Sequence, residues 1–332
     1  MTVLQAEVKW YKSAVISDAG SNGGRMSITQ AVSAVNQNLF PNVSQAERTA
    51  GVTRYRKQFA KVASAGDETL ANAYAFMARY APGDDIVQFF AGTQTDTQSG
   101  ISSPTLYGNG KLHTTVSGGA TSIVVDVEDW SQGAIFRNGD TIRVSDKASI
   151  GDSGNSEIVT ISGAPGVSGN QITLSITPAL ANGYNSASTY VSSGLSLGNI
   201  VGTFDNWVET SGSGTYAEGT VGNVVVDSIG GIEQTWTITF TSATAFTLTG
   251  DTLGAVGSGS RSSNFAPNNP DFSQPYFTIL SGGWGGTWAT GNTIVFQTHP
   301  AAKGIWFKQI VPAGAAALSS DFIRMVISGE SA

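Results

Sequence analysis

The sequence predicts a mainly β protein: several small β-sandwich or β-barrel domains with one short N-terminal helix. Three observations carry this. Charged side chains make up 12% of the 332 residues, about half the share in an ordinary soluble domain. Glycine alone supplies 41 positions, too many for a helical protein. The remainder is mostly Ser, Thr, Ala, Val and Asn in short alternating segments, punctuated by turn residues and free of long apolar runs.

The elements follow in chain order. Residues 17–27 (SDAGSNGGRMS) read as a flexible Gly/Ser/Asn loop, a candidate arm toward a partner. Ser44-Gln45-Ala46-Glu47 is an S-x-x-E capping box that opens one short helix, ending near Gly51. Residues 52–62 suit either a helix continuation or a strand, and the alternation of Tyr55, Lys57, Phe59 and Lys61 with their neighbours favours the strand. Tyr74, Phe76, Ala78 and Tyr80 share one face at period two. After the turn Pro82-Gly83-Asp84 comes a strand, Ile86–Ala91. Residues 92–110 are turn-rich and mark a domain boundary.

A second unit, 111–197, holds the strands Ile123–Val127, Thr141–Val144, Glu157–Ile161 and Ile172–Ile176, a density that fits a small barrel or sandwich. A third, 198–332, holds seven: Asn223–Ile229, Thr235–Thr241, Ala245–Thr249, Tyr276–Leu280, Thr293–Thr298, Gly304–Val311 and Ile323–Ile327. That count suits an immunoglobulin-like sandwich in architecture, with Trp236, Phe240, Phe246, Phe296, Trp306 and Phe322 as its core. The alternative is that residues 1–110 complete its sheet and the middle unit is an insertion. Residues 250–272 form a long polar surface loop.

Absence of cysteine removes disulfides, zinc-thiolate sites and thiol nucleophiles together. No secretory signal is expected from the opening TVLQAEVKW, and no apolar window is long enough for a membrane helix. The net charge of −7 is uneven. Residues 1–80 carry nine Lys or Arg against five acids, and the rest of the chain is strongly acidic. Thinly spread cations of this kind suit docking on an acidic protein neighbour better than binding nucleic acid. The expected contact residues are Arg25, Phe40, Arg48, Arg54, Tyr55, Arg56, Lys57 and Phe59.

Residues for chemistry are sparse. His113 and His299 stand alone, without the His partner at i+4 of a metalloprotease helix. Gly282-Gly283-Trp284-Gly285-Gly286 lacks the G-K-[ST] ending of a phosphate loop. The serines of Gly212-Ser213-Gly214 and Gly257-Ser258-Gly259 sit in loose loops, with no strand–turn–helix elbow. Glu128 and Asp129 beside Trp130 are neighbours on a strand and face opposite sides. Asp205 and Glu209, near Trp207, could share a face as a glycosidase pair would. Trp207, Trp284 or Trp288 could stack on a sugar, but the glycines around the last two suit rings that cap a core. Neither catalytic residues nor a metal or cofactor site is expected.

Two segments resemble structural proteins of contractile-tailed bacteriophages and related prophages. One runs from Asn36-Gln37-Asn38-Leu39-Phe40-Pro41 through Ala46-Glu47-Arg48 to Thr53-Arg54-Tyr55-Arg56-Lys57. The other runs from Gly282-Gly283-Trp284 through His299-Pro300 and Trp306 to Ile310-Val311-Pro312-Ala313-Gly314-Ala315. The resemblance implies a non-enzymatic virion component of the tail, baseplate or neck, the first two favoured, assembled in the host cytoplasm. Its partners would be other virion proteins and further copies of itself around a symmetry axis, with no membrane involved. A receptor- or polysaccharide-binding tail protein is the other reading.

Overall fold

The computed structural model describes residues 2–147 and 151–331. The first region contains β1 (Val8–Val15), β2 (Gly23–Gln30), helix α1 (Gln45–Ala50), β3 (Val52–Val62), β4 (Leu70–Arg79) and β5 (Ile86–Ala91). The capping box forms as the sequence predicts. The Ser44 hydroxyl accepts the Glu47 N–H, and the Glu47 carboxylate accepts the Ser44 N–H at 2.8 Å. Gly51, at φ 78°, ends the helix and turns the chain into β3. The ambiguous stretch is therefore a strand.

The second region is a closed barrel. Its strands are β6 (Asn109–Leu112), β7 (Ser122–Asp126), β8 (Thr141–Ser145), β9 (Ser156–Ile161), β10 (Gly166–Ser168), β11 (Gln171–Thr177) and β12 (Tyr190–Ile200). The order β12-β6-β7-β11-β9-β8 closes when β8 pairs back onto β12, with Val144 opposite Val191. Alternate residues point inward: Ile123 and Val125, Ile142 and Val144, Val159 and Ile161, Ile172 and Leu174. Six short strands enclose just enough space for these aliphatics, so the interior is packed rather than hollow. β12 outruns the barrel, and its second half pairs with β4, Leu195 opposite Ala75.

The third region comprises β13 (Thr203–Thr210), β14 (Thr215–Tyr216), β15 (Val224–Val226), β16 (Gln234–Phe240), β17 (Ala245–Gly250), β18 (Gly254–Ser260), β19 (Asn268–Asn269), β20 (Gln274–Pro275), β21 (Phe277–Ile279), β22 (Trp284–Gly285) and β23 (Thr293–His299). One antiparallel sheet, β13-β23-β16-β17-β18, is faced by the ribbons β15–β21 and β14–β22. Trp236, Ile238 and Phe240 alternate inward from β16 and meet Val226, Phe277 and Ile279.

The last two strands, β24 (Ala302–Val311) and β25 (Arg324–Ser331), correct the expected 198–332 unit. β24 lies between β3 and β5 in the sheet β2-β1-β3-β24-β5, and β25 pairs with β4. Residues 1–110 and the chain's last strands thus share sheets, the alternative left open by the sequence, with the barrel and third region inserted between β5 and β24. Trp306 belongs to the first region, and Phe322 is exposed instead of filling a core. The two first-region sheets face each other across Val62, Phe89, Ile305 and Phe307 on one side and Leu70, Ala75, Met77 and Leu197 on the other.

Candidate functional site: an assembly surface on the N-terminal hairpin

The expected cationic docking patch does not form. β3 is the central strand of its sheet, and Arg54, Arg56, Lys57 and Phe59 are all buried. Each cation is held within the chain. Arg54 pairs with Glu47 and donates to the Pro41 carbonyl. Arg56 donates to the Ser17 carbonyl at 2.8 Å and to Asp18 Oδ1 at 2.7 Å. Lys57 reaches Asp96 Oδ1 at 2.6 Å and the Gly24 carbonyl at 2.8 Å, beside the rings of Phe59 and Trp306. A buried charge is tolerated only with such partners. The sequence missed this because a run of cations is ordinarily a solvated face.

The other candidates have mixed fates. Tyr55 is half-buried and edge-on to Phe90, and Phe40 is half-buried with the Arg56 guanidinium 6.0 Å from its ring centre. Arg48 is half-buried and reaches the Ala315 carbonyl. Arg25 makes a tie between regions: it donates to Asp251 Oδ2 at 3.0 Å and Thr252 Oγ1 at 3.1 Å. Lys61 makes a second, donating to the Ile229 carbonyl at 2.5 Å, and Asp67 a third, accepting the Ser228 N–H at 2.7 Å.

Residues 17–27 are no free arm either. They form the turn and first half of β2, pinned by Asn22, which is fully buried and donates to the Tyr55 carbonyl at 2.9 Å. Gly23, at φ 105°, lies so close to the Trp306 indole that a Cβ there would fall 2.7 Å from it.

What the hairpin exposes is apolar. Of thirteen large hydrophobic residues with exposed side chains among the described residues, six lie within the first 35 positions: Leu4, Val15, Ile16, Ile28, Val32 and Val35. That is nearly half of the set in about a tenth of the chain, with Val15, Ile16 and Ile28 on the hairpin itself and Val32 and Val35 just after it. Only β1 pairs with β2 among the described strands, so the outer edge of β2 offers unpaired backbone groups beside Ile28. A groove of about 320 Å³ runs beside the hairpin, lined by Lys12, Ile16, Asp18, Asn38, Leu39 and Arg56. An apolar patch with a polar rim is the usual build of a protein contact surface.

His299 and Glu209 are engaged within the third region, whereas His113 is exposed, its Nδ1 2.9 Å from Asp126 Oδ2. His299 Nδ1 lies 2.7 Å from Glu233 Oε2, and its Nε2 lies 3.2 Å from Asp205 Oδ1. Burial pulls its pKa down, but the two carboxylates more than reverse this and raise it. An imidazolium donating from both nitrogens has no lone pair for a proton or a metal. Asp205 and Glu209 do not share a face. A bulge at Asn206 sets Asp205 opposite Gln297 and Glu209 opposite Ile294, three residues apart on β23. Glu209 therefore turns inward, accepting from Trp207 Nε1 and the Tyr216 N–H. Trp288 is buried and stacked 4.3 Å from Phe240, while Trp207 and Trp284 pack partly buried against the same core. Among the described residues no group of three or more His, Asp or Glu is placed to hold a metal, and no helix is long and apolar enough to cross a membrane.

Comparison with known protein families, curated proteins and solved structures finds no match to this chain.

Proposed function

We propose that the chain is a non-enzymatic structural protein of a tailed-phage virion, built into the tail or baseplate through the apolar surface of its N-terminal hairpin. Its partners are other virion subunits and further copies of itself in a symmetric ring. The observation that carries the docking surface is the concentration of exposed aliphatics beside the free edge of β2. The phage assignment rests on the resemblance of residues 36–57 and 282–315 to virion proteins. Full engagement of both His299 nitrogens supports the non-enzymatic reading, and commitment of the Trp288 ring to the core argues against a sugar platform.

Replacing Ile28, Val32 and Val35 together with Asp tests it. The variant should keep a wild-type circular dichroism spectrum, sediment as a monomer where the wild type associates, and fail to enter particles. A wild type that stays monomeric at every concentration, with the variant entering particles as readily, overturns it.

A further inference from the structure

The turn between β4 and β5 gathers carboxyl groups that make no ion pair among the described residues. It also receives the connector, residues 312–323, that joins β24 to β25. The Ala316 N–H donates to Asp84 Oδ2 at 2.8 Å, the Gly83 N–H approaches Asp321 Oδ1 at 3.4 Å, and Gln309 Nε2 donates to Asp85 Oδ2 at 2.7 Å. The carboxyls of Asp85 and Asp321 then face each other over the bare α-carbon of Gly83. A Cβ there would lie 2.8 Å from Asp321 Oδ2 and 3.3 Å from Asp85 Oδ1. Asp85 is 7% exposed, and its Oδ1 meets no donor. Facing carboxylates disfavour each other's ionised form, and a proton held on Asp321 gives the orphaned Asp85 oxygen a donor.

We propose that a protonated Asp321 donates to the unpartnered Oδ1 of Asp85, and that this proton is the catch holding the connector, and β25 with it, against the turn before β5. Loss of the proton to solvent leaves two facing anions, releases the connector and uncovers the outer edge of β4. The surroundings favour a catch that opens on the alkaline side. Burial and the neighbouring Asp85 push the Asp321 carboxyl up to about 7. Burial, then Asp85 and Asp321, push Glu128 up to about 8. The titratable and charged groups around it include Asp84, Tyr80 beside Glu128, and Arg48, which donates to the connector's Ala315 carbonyl. Arg79 and Arg324 stand opposite each other on β4 and β25, Arg79 lying over the Tyr190 ring, and neither pairs with these acids. Raised acids stabilise the closed form fully below their unfolded values of about 4, and that contribution is gone once the pH passes their folded values.

Amide hydrogen exchange of the full chain at pH 5.5 and pH 8.5, corrected for intrinsic rates, reads the catch directly. Protection of residues 324–331 should fall about tenfold at the higher pH while the barrel strands are unchanged. Asp321→Asn, which donates permanently to Asp85 Oδ1, should remove that difference. Equal protection of β25 at both pH values in the wild type overturns the proposal. So does an Asp321→Asn protein that keeps the full pH response.

Discussion

The Lys61 ammonium sits 4.3 Å from the centre of the Phe272 ring, a cation on the first sheet capped by an aromatic of the third region. With the Tyr11 ring, itself edge-on to Phe272, 5.6 Å away and the Ile229 carbonyl as its acceptor, it is fully buried. Burial pulls its pKa down to about 8, offset in part by Asp227. Unfolding therefore takes up a proton at pH values between the folded and unfolded pKa, so stability gains from this group as pH rises through that window and loses as pH falls through about 8. Lys61→Met should flatten the dependence between pH 7 and 10, measured by urea denaturation. Lys61→Ala should cost about 2–4 kcal/mol through the cavity left behind.

Gly23 and Gly24 make a matched pair. Both have positive φ, but only Gly23 would press a Cβ into Trp306, and Gly24 has open space. Gly24→Ala should cost about 1 kcal/mol from backbone strain alone. Gly23→Ala should cost about 2 kcal/mol more, because a well-packed ring must move, and it should alter tryptophan fluorescence. Equal losses at the two sites would show that Trp306 does not set the hairpin's position.

Removing the Ser44 hydroxyl tests the helix start. Ser44→Ala should destabilise by about 1 kcal/mol, the usual worth of an N-cap. Hydrogen bonds from Ser44, helped by Arg54 and only partly opposed by burial, hold the Glu47 carboxyl down at about 2. The Glu47 contribution is present above the ordinary carboxylate range and lost as pH falls toward 2, so the variant's deficit should shrink in acid. Thermal melts at pH 7 and pH 3 check both points.

Fragments separate the regions. Residues 201–300 keep the whole β13–β23 sheet and its facing ribbons, and should melt cooperatively. Residues 198–332 add β24 without β3 and β5, leaving Ile305, Trp306 and Phe307 uncovered. That longer fragment should aggregate or bind a hydrophobic dye, and a clean monomer would place β24 elsewhere.

Much of the architecture was legible because β strands announce themselves locally. Ile86–Ala91 and the cap at Ser44 stand as the sequence predicts them, and the inward alternation from Ile123 to Ile176 fits a barrel as well as it does a sandwich. Partner choice was not legible. Ile305-Trp306-Phe307 is an unbroken apolar run, the mark of a strand covered on both faces, yet nothing local says that its neighbours lie more than 200 residues upstream, at Arg56–Gln58 and Phe89–Ala91. The burial of the cations was not legible either, since Arg56 and Lys57 find their anions only once Asp18 and Asp96 have been folded beside them. The extra residue at Asn206 that parts Asp205 from Glu209 has no signature in composition or period.

The seating of β24 between β3 and β5 also dictates a schedule of synthesis. β3 leaves the ribosome at residue 62, and its neighbour begins at residue 302. At about 5–20 residues per second the nascent chain waits roughly 10–50 s with the centre of its first sheet open. The barrel and the third region, whose strands pair within their own regions apart from the contact of β12 with the earlier β4, can fold during that interval. The hairpin end of the chain closes last, around a strand delivered by the finished remainder.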